Sequence, residues 1–305
     1  MAAEPAAPGS TPTSPALAAV LQALGHDDRG VADLWLDGRG LRLHLDWLRA
    51  AEPARGVVVF QPGSGSYARF YCGLGQRLAA AGWHWLGIDR PGHGFSGGAR
   101  GDGSIDESVA VGAQVIALAR ERFPGLPVVL MGSSLGGLLA GFAVLAGQRP
   151  ELTIAHNFLI PGRLLSMRWR ARFIRRWRRR PYPLHELVHG FERLSRVPAL
   201  REYLHQRTDP QAAWALSPRL VASLFAHDPP RPHPPQPAPL VVISGDADRA
   251  IPAWASRWFL RWSGHRAARF VTVPGAGHLL FHDDLDRSWP LLQSLLAEVL
   301  ARREA

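Results

Sequence analysis

The sequence predicts an α/β protein: a mostly parallel sheet with helices on both faces and an inserted helical segment. Three observations carry that reading. Short apolar runs alternate along the chain with stretches of helical spacing, the pattern of crossover-connected parallel strands. The runs GVVVF (56–60), PVVLM (127–131) and PLVVISG (239–245) are almost continuously apolar, as strands buried on both faces require. Between residues 161 and 236 the alternation stops, and no buried-strand signal appears there.

Taken in order, VADLWL (31–36) and LRLHLDWL (41–48) alternate like paired antiparallel strands. GVVVF follows as the first buried strand, then a helix over 66–81, a strand WHWLGID (83–89) and a helix over 105–123. PVVLM is a strand, 135–148 a helix, and LTIAHNFLI (152–160) a strand. After the insertion come PLVVISG, a helix over 253–262, the strand ARFVTV (268–273) and a last helix over 284–302. The expected organisation is a disordered tail over 1–26, a core in two parts at 27–160 and 237–305, and a helical cap over 161–236. The tail follows from its Ala, Pro, Ser and Thr content, with a local helix at 16–24. Glu4 and the lack of a basic start argue against a signal peptide, so a cytoplasmic location is expected. The insertion ends in DPPRPHPPQPAP, a proline-rich connector.

The composition sets bounds. The 305 residues carry 35 Lys+Arg against 25 Asp+Glu, a net charge of +10, and all the Lys+Arg are arginine. That excess points to a polyanionic partner, or to a GC-rich genome that also writes Ala, Gly and Pro. The single cysteine, Cys72, excludes an internal disulfide and a Cys-cluster metal site. No apolar stretch approaches the roughly 18–20 residues of a membrane span.

Gly132-Ser133-Ser134-Leu135-Gly136 matches G-x-S-x-G. A nucleophilic serine needs a sharp strand-to-helix turn with small neighbours, which exposes its hydroxyl and aims the next N–H at a developing oxyanion. A second match places Ser96 at its centre, but Arg90-Pro91-Gly92-His93 ahead of it cannot be a buried strand. The serine needs a base, and the base a carboxylate. Gly275-Ala276-Gly277-His278 supplies a histidine in a loop after a strand. Gly245-Asp246-Ala247-Asp248 supplies two acids at another strand end, which compete for one role. The glycine-rich Gln61-Pro62-Gly63-Ser64-Gly65-Ser66 follows the first buried strand, so the N–H groups of Ser64 and Leu135 are the expected oxyanion donors.

Together these residues resemble the α/β-hydrolase superfamily, in particular its monoacylglycerol lipases, lysophospholipases and related esterases. The likeness covers about 56–145 and 240–300 through PGSGSYARFY, IDRPGHGFSGG, GSSLGG, GDADRAIP and GAGH. It implies the α/β-hydrolase fold with the insertion as a cap. It also implies a catalytic triad of Ser134, Asp248 and His278, since the family's acid stands three residues after the glycine. Pro62 departs from the histidine usual there. The implied activity is hydrolysis of carboxylic esters, such as monoacylglycerol or lysophospholipid, through an acyl-serine, with no cofactor and no metal. Acyl transfer, C–C hydrolysis and peroxidase chemistry use the same scaffold. A non-catalytic membrane-binding protein of this fold is a further alternative.

Two features of the insertion stand apart. His185-Glu186-Leu187-Val188-His189 matches H-E-x-x-H, a zinc motif when helical. No third ligand is well spaced, and Glu192 stands at the extension's glycine position, so a polar cap helix is the expected form. From Arg163 to Arg180 the chain carries nine arginines around Leu165, Trp169, Phe173 and Trp177, spaced by four. Such a stripe either packs on the core or lies on an anionic membrane, with nucleic acid not expected as a partner.

Overall fold

The computed structural model describes residues 11–38, 40–188, 190–230 and 238–304. The strands, in chain order, are β1 (Val31–Gly38), β2 (Leu41–Leu48), β3 (Gly56–Gln61), β4 (Trp83–Ile88), β5 (Val128–Ser133), β6 (Leu152–His156), β7 (Tyr182–Pro183), β8 (Ala215–Leu216), β9 (Leu240–Gly245) and β10 (Arg269–Val273). The helices are α1 (Pro15–Ala23), α2 (Cys72–Ala80), α3 (Ile105–Arg122), α4 (Leu135–Leu145), α5 (Leu165–Trp177), α6 (Leu184–Leu187), α7 (Pro198–Gln206), α8 (Pro218–Ala226), α9 (Ala253–Ser263) and α10 (Leu285–Glu304).

Eight strands form one sheet in the order β1-β2-β4-β3-β5-β6-β9-β10. The β1–β2 and β2–β4 pairs are antiparallel and the rest parallel. The continuous apolar runs have the expected cause. Val57, Val59, Val128 and Leu130 point into a core shared with α3, while Val58, Phe60, Val129 and Met131 point into the core on the other face. β4 and β5 flank β3, so the strand order reverses there. The loops leaving β3 and β5 therefore frame the crevice where ligands bind in open parallel sheets.

Some expected bounds shift for local reasons. The helix expected over 66–81 begins as a 3-10 turn at Ala68–Tyr71, because Tyr67 is extended. The strand expected over 152–160 stops at His156, where Asn157 takes φ +66°. Between β6 and β9 lie α5 to α8, together with a two-residue ladder of β7 and β8. Residues 231–237 of the proline-rich connector lie outside the described residues.

The disordered tail expected over 1–26 needs correction. Residues 1–10 lie outside the described residues, but from Thr11 onward the chain is ordered. Leu17, Val20 and Leu21 of α1 are buried. Thr11 bonds both carboxylate oxygens of Asp33, and its carbonyl accepts from Arg69 at 2.9 Å. Composition alone missed this because the anchors are distant in sequence.

Those contacts belong to a buried charged network. Arg69 grips Asp46 through Nε at 3.0 Å and a terminal nitrogen at 2.7 Å, and reaches Asp33 at 3.3 Å. His44 lies between Asp89 (2.9 Å) and Asp33 (3.1 Å). Burial alone would lower the His44 pKa, but Asp89, Asp46 and Asp33 outweigh it and raise it to about 9. The native state thus keeps a proton that the unfolded chain loses near pH 6.5. This stabilisation is complete below that pH and is lost as pH rises through about 9, a change of about 3 kcal/mol. Burial pushes the Asp46 carboxyl up to about 6, so Asp46 has ionised before most of that window. Thermal unfolding is expected at lower temperature at pH 9.5 than at pH 6.5, with a flatter profile for His44→Gln. An unchanged profile in the variant removes His44 as the cause.

Candidate active site

Ser134 stands between the end of β5 and the start of α4, with φ +53° and ψ −117°. Such a conformation costs a non-glycine residue about 1–3 kcal/mol and persists only where its surroundings enforce it. The flanking glycines show how. A Cβ on Gly132 would lie 2.1 Å from the Gly136 carbonyl oxygen, and one on Gly136 would lie 1.9 Å from that of Gln61. Only glycine lets strand, helix and the β3 loop approach so closely.

His278 Nδ1 lies 2.9 Å from Asp248 Oδ2, and Nε2 lies 3.2 Å from Ser134 Oγ. An ionised carboxylate only accepts, so it fixes the proton on Nδ1 and leaves Nε2 free to accept from the serine. Asp248 is buried, which pushes its carboxyl up. Its hydrogen bond and attraction to His278 outweigh that and hold it below the ordinary range. Asp248 Oδ1 also accepts from the N–H groups of Ala250 and Ile251, both at 2.9 Å, and Oδ2 from Asn157 Nδ2 at 3.2 Å. Asp246 is exposed and accepts instead from the Gly275 N–H at 2.7 Å, pinning the loop that carries His278. Of the two acids, Asp248 is the one in contact with His278.

Gly63 runs beside the serine: a Cβ built on it would lie 3.5 Å from that of Ser134. Ser64 lines the same cavity as Ser134 and His278. Leu135 opens α4, and the first N–H groups of a helix have no partner within it. Three supports escaped the sequence reading. Buried Arg90 donates to the carbonyls of Pro62 (2.6 Å) and Gly63 (2.9 Å), and Tyr71 Oη accepts from the Gly63 N–H at 3.2 Å. These bonds hold the loop although Pro62 replaces the usual histidine. Behind the relay, His156 Nδ1 sits 3.1 Å from Ser133 Oγ. Burial pushes the His156 pKa down to about 3, so its ring is neutral. Tyr71 stands with Gly63 inside PGSGSYARFY and Arg90 inside IDRPGHGFSGG, but neither pattern says which group the side chain bonds, and His156 is 23 residues from Ser133.

The cavity at Ser134 is mostly apolar. Phe70 and Tyr71 come from the core, and Leu184, Val188, Phe191, Leu194, Tyr203 and Trp214 from the insertion. Ser96 is elsewhere: its hydroxyl donates to the Asp89 carbonyl at 2.6 Å and accepts from the His44 N–H at 2.8 Å. The H-E-x-x-H helix does not form as expected. α6 ends at Leu187, Val188 is extended, and His189 lies outside the described residues. Among the described residues, His185 belongs to no group able to hold a metal. The packed alternative for the arginine helix is overturned too. α5 buries Ala171 and Ile174, while Leu165, Trp169, Phe173 and Trp177 are exposed.

This sheet, this turn and this Ser–His–Asp relay define an α/β-hydrolase. The family model Hydrolase_4, described as serine aminopeptidase S33, matches residues 52–285. The chain belongs to that family. It is similar to a monoacylglycerol lipase of Mycolicibacterium smegmatis, at 26% identity over 80% of this chain and 88% of the relative. Its fold matches that of a Paleococcus ferrophilus monoacylglycerol lipase, with a TM-score of 0.66 and 24% identity over 85% of this chain and 98% of the other. It also matches a soluble variant of a Saccharomyces cerevisiae monoglyceride lipase, with a TM-score of 0.71 and 15% identity over 87% and 94% of the two chains.

Proposed function

We propose that the protein hydrolyses lipophilic carboxylic esters of the monoacylglycerol or lysophospholipid kind through an acyl-enzyme on Ser134. The observation that carries this is the unbroken relay from Asp248 through His278 to Ser134, at 2.9 and 3.2 Å, beside an apolar cavity. Ser134 Oγ attacks the ester carbonyl while His278 Nε2 takes its proton. Asp248 stabilises the imidazolium, and the N–H groups of Ser64 and Leu135 receive the oxyanion. His278 then protonates the leaving alcohol, activates a water by the same route, and the acid departs.

The cavity wall favours an acyl chain over a peptide N-terminus. Phe70, Leu184, Val188, Phe191, Leu194 and Trp214 on that wall can bury the methylenes of an acyl chain. The described part of the insertion, through Leu184, Val188, Phe191, Leu194 and Trp214, acts as the cap over the acyl chain. Fluorophosphonate is expected to label Ser134, and turnover of monoacylglycerols to rise at least tenfold between acetyl and octanoyl chains, since each buried methylene contributes about 0.8 kcal/mol. A peptide amide turned over faster than every ester sinks the substrate assignment. Ester exchange with added alcohol outrunning acid release makes the protein an acyltransferase.

A second reading concerns where substrate is met. Among the described residues no helix is long and apolar enough to cross a membrane. The exposed α5 stripe, with arginines from Arg163 to Arg180 around it, supports docking on an anionic membrane face from the cytoplasm.

A further inference from the structure

Among the described residues, the large hydrophobic side chains left exposed fall on two helices. α5 shows Leu165, Trp169, Phe173 and Trp177, and α9 shows Trp254, Trp258 and Trp262. Both sets recur every four residues, so each is one stripe along its helix. α9 buries Ser256, Phe259, Leu260 and Ser263 on its other side; Trp258 and Trp262 touch the edge of that side through Phe259 but stay 45% and 38% exposed, and Trp254 is 72% exposed. The two helices belong to different parts of the chain, one to the insertion and one to the segment between β9 and β10. They are joined at one end. Arg163, ahead of α5, donates to the carbonyl of Trp262 and pairs with Asp228 at 3.0 Å.

We infer that α9 is a second lipid-docking helix, so that α5 and α9 together form a surface for an anionic bilayer that spans insertion and core. This rests on the membrane reading of α5. Soluble monomers seldom leave so many large apolar side chains uncovered. Charge selects the occupant. Arg168, Arg170, Arg172, Arg175 and Arg176 are exposed on α5, Arg257 and Arg261 on α9, and neither helix contains an acidic residue. The Arg172 guanidinium lies over the Trp169 ring at 5.4 Å, and that of Arg176 over Trp177 at 5.7 Å. Indole rings seat at headgroup depth, and guanidinium groups beside them match lipid phosphates. A second copy docking face to face would set arginine against arginine. Because Arg163 ties the two helices, docking on both also holds the insertion in place over the sheet.

Cosedimentation of the full chain with phosphatidylcholine vesicles, with and without phosphatidylglycerol, tests this. Wild type is compared with Trp169→Ser/Phe173→Ser and with Trp254→Ser/Trp258→Ser. Phosphatidylglycerol is expected to raise wild-type binding at least tenfold and added salt to reverse it. Each variant is expected to lose about tenfold, while turnover of a short soluble ester stays at the wild-type rate and reports an intact fold. If the α9 variant binds like wild type while the α5 variant does not, the α9 inference is overturned and the α5 reading stands. If wild type ignores anionic vesicles, both fall. A dimer of wild type that becomes monomeric in the α9 variant makes the occupant a second copy and also overturns the inference.

Discussion

Ser134→Ala is expected to lower kcat for a short-chain ester by about 10⁴- to 10⁶-fold, with KM little changed. The alanine keeps the turn, since the glycine contacts that enforce φ +53° are untouched. What is lost is the atom that His278 Nε2 approaches at 3.2 Å. Residual turnover then comes from the oxyanion donors and from binding alone. Because the relay acts as a unit, His278→Ala added to Ser134→Ala should cost little more. Steady-state kinetics on the single and double variants, with matching thermal unfolding, check this. Activity of Ser134→Ala within tenfold of wild type places the nucleophile elsewhere.

The side chains that the structure brings together at the proposed relay were legible because each sits in a local pattern with its own steric reason. G-x-S-x-G marks a turn that only glycine can build, and the glycine-flanked His278 and paired acids mark strand ends. The choice of Asp248 over Asp246 was not local. It followed from the family's spacing, and the structure gives Asp246 its own partner in Gly275. The supports were hidden for a related reason. Arg90 reaches carbonyls 27 and 28 residues away, and Arg69 reaches a threonine 58 residues away. Sequence periodicity found the α5 stripe but not that it stays exposed. The face that packs inward uses Ala171 and Ile174, and spacing alone left open whether the stripe of larger side chains packs or stays exposed. The α9 tryptophans were read only as part of a helix for the same reason. Apolar spacing reports that a face exists, and burial is decided by elements that arrive from elsewhere in the chain.

Arg69→Met is expected to destabilise the protein by about 3–5 kcal/mol, lowering the unfolding temperature by about 10 °C. Methionine fills much of the volume but leaves Asp46 and Asp33, both buried, with His44 as their remaining nearby cation. A buried carboxylate stripped of its partner bears the full desolvation cost, which is far larger than the net worth of the pair. The same change releases the Thr11 carbonyl and the Thr13 hydroxyl, to which Arg69 donates at 2.9 and 3.0 Å. The N-terminal segment should therefore loosen before the sheet does, and limited proteolysis should cut ahead of α1 in the variant sooner than in wild type. The charge argument has its own control. Arg69→Met combined with Asp46→Leu removes cation and anion together, and should recover more than half of the lost stability. If the double variant is no more stable than Arg69→Met, the loss comes from packing and from the released N-terminal segment, and the unpaired carboxylate is not its cause.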